Sequence, residues 1–157
     1  MQGNPGTEAE IRQLRQSARE LGLEIVELST QRDNVETSLA KISAGGTDAL
    51  VVTTDPVNEL ILPRLISLAA AKRVPALYAY NTAVRQGGLI SYSANFFELW
   101  RRQGADYVDR IVKGAHPADL PIEQATAITL SVNLATAKQL GVTIPPSILA
   151  RADEVIE

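Results

Sequence analysis

Asp48-Ala-Leu-Val-Val-Thr-Thr-Asp-Pro56 decides the fold. Residues 49–52 are a short continuous apolar run with two β-branched valines, the pattern of a strand buried on both faces of a parallel sheet. The run stops abruptly at Thr53, Thr54, Asp55 and Pro56. In open α/β sheets ligands sit in the crevice outside the carboxyl ends of the strands, so these polar residues are expected at the lip of a cleft.

The chain on either side repeats this plan. Upstream, Ile11, Leu14, Ala18 and Leu21 recur at helical spacing, Thr7 is a candidate N-cap, and Gly22 stands where a left-handed C′ residue belongs. A strand is predicted over 23–28. Asp33-x-x-Glu36 then reads as a capping box for a second helix with apolar positions Val35, Leu39 and Ile42, closed by Gly45-Gly46. Downstream, Leu60, Ile61, Leu65, Leu68 and Ala69 form another helical stripe. Pro63 fits only its first turn or a break, while Lys72 and Arg73 suit the negative end of the helix dipole.

The next strand is predicted over 75–80, followed by a loop over 81–88 and a further strand over 89–93. Asn95 caps a helix running to about residue 113, and 114–121 is a loop. Residues 127–133 alternate Ile128, Leu130 and Val132 with polar neighbours, which predicts a strand with one solvated face at a sheet edge. Asn133 caps a short helix ended by Gly141, and the tail with Pro145-Pro146 is expected to lie over the surface. Alternating strands and helices at this spacing predict one α/β domain over 1–157, a three-layer sandwich with a mainly parallel sheet.

Bulk properties narrow the function. A chain of 157 residues suits a single core. A net charge of −3 and a pI near 5.2 argue against a sequence-independent grip on nucleic acid. With no cysteine, and His116 as the single histidine, disulfides, thiolate nucleophiles and multi-histidine metal sites are excluded, and no cofactor is expected. Met1 leads directly into Gln-Gly-Asn-Pro-Gly, so neither a signal peptide nor a transmembrane run is expected in this stretch.

Catalytic motifs do not emerge. Gly45-Gly46 and Gly87-Gly88 precede strands, whereas a dinucleotide fingerprint joins a strand to a helix. No Walker sequence, G-x-S-x-G elbow or H-E-x-x-H occurs. His116 lies in a Gly-Ala-His-Pro loop and reads as a solvated residue. The expectation is a protein that is not an enzyme.

The helix over 95–113 carries two apolar stripes, Phe96, Trp100, Tyr107 and Ile111 on one and Phe97, Ala105, Val108 and Val112 on the other. A helix lying on one sheet needs a single stripe. The second belongs either in a deep interior or against something outside this chain.

Four segments carry a family resemblance: Gly87-Gly-Leu-Ile-Ser-Tyr92, Tyr107-Val-Asp-Arg-Ile-Val-Lys-Gly-Ala-His-Pro-Ala-Asp-Leu-Pro-Ile-Glu-Gln124, Val132-Asn-Leu-Ala-Thr-Ala-Lys-Gln-Leu-Gly-Val-Thr-Ile-Pro145 and Arg151-Ala-Asp-Glu-Val-Ile-Glu157. They resemble the C-terminal half of the ABC transporter substrate-binding protein family that includes tryptophan- and tyrosine-binding members. The resemblance implies a type I periplasmic binding protein, with two α/β lobes hinged around a solute. The chain begins at what resembles the loop after the first strand of the second lobe, so the first lobe, the signal segment and that strand are expected to be absent. The two-striped helix would then cross onto the missing lobe, and self-association through the helix carrying Phe97 and Trp100 is expected.

The resemblance further implies a cleft at Thr54-Asp55, Tyr80-Asn81 and Ser91-Tyr92. Chemistry agrees: Asp55 can accept from a ligand ammonium, the Thr54 and Ser91 hydroxyls can bond a carboxylate, and Tyr80 or Tyr92 can stack on a ring. The implied function is the solute-binding component of an ABC importer, taking a small organic solute such as an amino acid and presenting it to an ABC permease, in the periplasm or another extracytoplasmic space. The alternative is an effector-binding module of the same architecture, as found beside DNA-binding heads in repressors, although no helix-turn-helix segment is attached here.

Overall fold

The run that ends at Val52 forms β1 (Leu50–Val52), and its neighbours in the chain fold around it as the alternation predicts. The structure is a computed structural model and describes residues 5–30, 35–42, 46–122 and 127–157. Among the described residues, α1 (Pro5–Leu21) and α2 (Val35–Lys41) precede β1. Then come α3 (Pro56–Leu60), α4 (Leu62–Lys72), β2 (Ala76–Tyr78), α5 (Asn81–Arg85) and β3 (Ile90–Ala94). A composite helix follows: α6 (Phe96–Leu99), a π-helical turn (Trp100–Gly104) and α7 (Ala105–Val112). The chain closes with β4 (Ile128–Asn133), α8 (Leu134–Leu140), α9 (Pro146–Leu149) and β5 (Glu154–Ile156).

The described strands form one sheet in the order β1-β2-β3-β4-β5, parallel except for the β3–β4 pair. This is a layered α/β fold with a mainly parallel sheet. One row of register partners, Val52, Tyr78, Ser91, Ser131 and Glu154, crosses the whole sheet. Against the face carrying Val52, Ala76 and Tyr78 pack Leu39 and Ile42 of the α2 region, Leu62, Leu65, Ile66 and Ala69 of α4, and Ala83 of α5. The adjacent row is less covered: Val51 and Val155, at its two ends, are 45% and 42% exposed. β1 is thus buried on one face rather than both, because it lies at the sheet edge where a helix covers only one side.

Local signals locate most boundaries. Gly22 adopts φ 68° and Leu23 N–H closes on Ala18 C=O at 2.8 Å, the left-handed helix stop that its position predicts. Gly141 ends α8 in the same way, at φ 72°. Pro63 sits in the first turn of α4, just beyond the break at Ile61. Asn95 Oδ1 accepts from Glu98 N–H at 3.1 Å, and Asn133 Oδ1 accepts from Thr136 N–H at 2.9 Å, so both expected asparagine caps form.

Five further expectations are corrected. Residues 23–28 form no ladder: a strand exists only by pairing, and Leu23, Ile25 and Val26 are exposed beside no described partner. α1 starts at Pro5, so Thr7 lies inside the helix and its hydroxyl bonds Asp55 instead of capping. The 81–88 loop contains α5. β4 is an interior strand because the tail, expected on the surface, returns as β5 and pairs with it in parallel. The helix after Asn95 is interrupted by its π turn instead of running straight. The box at Asp33 and the residue Gly45 lie outside the described residues.

Candidate binding site at the carboxyl edge of the sheet

Val52, Tyr78 and Ser91 form the last rung shared by the three parallel strands. Residues 53–55, 79–81 and 92–94 leave the sheet just beyond it. A helix that follows or precedes such a strand at this edge brings its first-turn side chains to the same lip. The N-terminal turns of α1 do this.

Two residues spaced three apart on α1, hence on one face of it, fasten the loop after β1. The Thr7 hydroxyl donates to Asp55 Oδ2 at 3.1 Å. Glu10 Oε2 accepts from both Thr54 N–H at 3.0 Å and the Thr54 hydroxyl at 2.7 Å. Asp55 is at once the N-cap of α3, its Oδ1 accepting from Val57 N–H at 2.9 Å. Both of its carboxylate oxygens are therefore already engaged. Behind them Asn58, only 5% exposed, donates to Thr53 C=O at 3.0 Å and accepts from the Thr30 hydroxyl at 2.8 Å, tying three segments together.

Tyr80 stands at the end of β2, half-buried, immediately before α5. Burial first, then the negative charges of Glu59 and Glu10, push its phenol above the ordinary value. Those charges place Tyr80 in the same neighbourhood as the Glu10–Thr54 contact. Asn81 opens α5 and is half-buried.

The remaining candidates are set apart. Ser91 is fully buried within the last shared rung, beside Ser131, and its hydroxyl has no hydrogen-bond partner among the described residues. Tyr92, the next residue, is 53% exposed. The fold thus gathers Thr54, Asp55 and Tyr80 around the start of α1, with Asn81 next in chain, Tyr92 on the open side of β3 and Ser91 sealed within the sheet. Glu10, Asn58 and Glu59 join this lip without having been expected there, and Thr7, expected as a helix cap, joins it through its bond to Asp55. The one signal that could have found Thr7 and Glu10 is positional, since they occupy the first two turns of a helix in a parallel α/β chain.

Among the described residues, no group of three or more acidic or histidine side chains is placed to hold a metal ion. A groove of about 470 Å³ lies elsewhere, between α2 and α4, lined by Leu39, Arg64, Leu68 and Lys72 among others. No described helix is long and apolar enough to cross a membrane.

The composite helix is the other unusual surface. Trp100 is 71% exposed, Val108 62% and Val112 80%, and neither the π turn nor α7 buries a residue. Glu98–Arg101, Asp106–Arg110 and Asp109–Lys113 pairs run along it. The side chains of Phe96 and Phe97 lie outside the described set.

Residues 3–156 match the model of a family described as ABC transporter substrate binding protein. Three solved structures are similar. A conserved domain protein from Vibrio cholerae O1 biovar eltor is 28% identical with a TM-score of 0.85, over 97% of this chain and 52% of that one. An ABC domain in complex with L-Trp from Streptococcus pneumonia is 26% identical with a TM-score of 0.79, over 95% and 50%. A substrate binding protein with adhesive properties from Clostridium difficile, in a ligand-free open structure, shares the fold at 22% identity and a TM-score of 0.66, over 98% and 51%. The chain spans about half the length of each. No curated protein matches it.

Proposed function

We propose, from the premise that this chain belongs to the ABC transporter substrate binding protein family, that it forms one wall of a cleft that captures a small organic solute such as an amino acid. Membership rests on a match across residues 3–156, and it implies a binding role rather than catalysis. That match, on a chain whose polar strand ends gather at one lip, is the observation that carries the reading.

Thr54, Asp55, Tyr80, Asn81 and Tyr92 are the proposed contacts, and Ser91, fully buried in the last shared rung, becomes one only where solute binding uncovers its unpartnered hydroxyl. Hydroxyls suit a carboxylate, Asp55 an ammonium and the tyrosine rings a flat or apolar side chain. The relative bound to L-Trp supports an amino acid as the class of solute. In the whole protein an ABC permease receives the solute, and the site of action is extracytoplasmic.

Because the relatives are about twice as long, a second wall is expected to supply much of the solute's burial. The exposed face with Trp100 and Val108 is the surface proposed to be covered, by the second wall in a longer protein or by a second copy when this chain stands alone. Sedimentation across a concentration series checks the latter, and a monomer at all concentrations removes it.

Titration of the ¹⁵N-labelled 157-residue chain with aromatic and branched amino acids, followed by calorimetry and by its amide resonances, tests the site. Weak, millimolar-range binding that shifts the Thr54 and Tyr80 resonances is expected. Absence of any such shift at saturating solute overturns the reading, and submicromolar affinity overturns the need for a second wall.

A further inference from the structure

At the lip, the Thr54 N–H and Thr54 hydroxyl converge on one oxygen, Oε2 of Glu10, at 3.0 and 2.7 Å. A backbone N–H and a hydroxyl aimed at a single carboxylate oxygen make a small carboxylate receptor, since hydrogen bonds to an ionised acceptor are shorter and stronger than neutral ones. Here the carboxylate comes from within the chain.

We propose that Glu10 is an internal competitor that fills the carboxylate-binding donor pair of Thr54, and that a solute carboxylate must displace it. This rests on the solute-binding reading above and adds to it the residue that sets how readily an acid is admitted.

Three further observations fit. The glutamate side chain has three rotatable bonds beyond the backbone, so Glu10 can swing out without moving α1. The helix keeps a separate anchor to the same loop through the Thr7–Asp55 hydrogen bond at 3.1 Å. Tyr80, on the neighbouring strand end, feels the Glu10 charge, so its phenol belongs to the same neighbourhood. A displaced Glu10 carboxylate then becomes an acceptor facing whatever has replaced it.

The size of the effect follows from occupancy. Apparent affinity falls by the fraction of time the receptor is free, so a pair occupied about nine-tenths of the time binds an external carboxylate about tenfold more weakly.

The test is an acetate titration of the ¹⁵N-labelled chain, read at the Thr54 amide. In Glu10→Ala that amide is expected to shift saturably, with a dissociation constant about tenfold below that of the unsubstituted chain. Glu10→Asp keeps the charge but is one methylene short of Thr54, and it is expected to behave like Glu10→Ala; it also serves if the alanine variant loosens α1. Adding Thr54→Val to Glu10→Ala is expected to weaken acetate again. Equal acetate binding by Glu10→Ala and the unsubstituted chain, or no Thr54 shift in any variant, overturns the proposal. So does Glu10→Asp behaving like the unsubstituted chain, which would reduce the effect to charge alone. The two readings separate cleanly: acetate following this pattern while no amino acid binds keeps the gate and sinks the solute class, and amino acids binding equally with and without Glu10 does the reverse.

Discussion

Gly88 lies against the ring of Tyr78: a Cβ at position 88 would stand 2.8 Å from Tyr78 Cε2 and 2.9 Å from Ala83 C=O. The glycine just ahead of β3 is therefore dictated by the residue at the end of β2. Gly88→Ala is expected to destabilise the fold by roughly 1–3 kcal/mol, because both the ring and the carbonyl are held in the core and neither can retreat. Chemical denaturation of the variant checks it, and an unchanged midpoint would show that the ring gives way.

Tyr78 itself makes stability depend on alkaline pH. It is 2% exposed, and burial pushes its phenol up to about 12 from an ordinary value near 10. The folded state thus holds the proton over a range where the unfolded chain has released it. The contribution is fully present below pH 10 and is lost as pH rises towards 12, by about 1.4 kcal/mol per pH unit in between. Urea unfolding at pH 9, 10 and 11 should show this loss in the unsubstituted chain and a shallower one in Tyr78→Phe.

Arg73 ends α4 in a left-handed conformation at φ 53° and ψ 39°. A side chain with a Cβ is strained there, so Arg73→Gly is expected to raise stability by about 0.5–1 kcal/mol. A lower melting temperature would mean that the arginine makes a compensating contact.

Asn58 joins α3 to the Thr53 and Thr30 segments while almost fully buried. Asn58→Ala leaves these partners unsatisfied and should cost roughly 1–3 kcal/mol. Amide exchange of residues around Thr30 and Thr54 should quicken in parallel, and exchange at α8 should not.

Ser91→Ala should leave stability unchanged or raise it by up to about 1 kcal/mol, because the hydroxyl it removes is buried without a described partner. The same variant tests the proposed solute contact. Weaker solute binding at undiminished stability assigns the hydroxyl to the solute, and unchanged binding removes Ser91 from the site.

Much of this architecture is legible in the chain because it is written locally. The glycines at 22 and 141, the asparagines at 95 and 133 and Pro63 each act through their own backbone conformation or through partners within one turn. Such signals survive whatever the rest of the chain does.

Long-range pairing is different. The sequence by itself established the alternation of helices with strands, the polar stop after Val52 and the family likeness of the segments from Gly87 onward. Only the tertiary structure decided that residues 23–28 stay out of the ladder, that the tail returns as β5 to put β4 in the interior, and that Glu10 rather than solvent meets Thr54. A strand's neighbour and a side chain's partner are choices among distant residues, settled by which pairing the packed whole leaves open, and no local pattern carries that information.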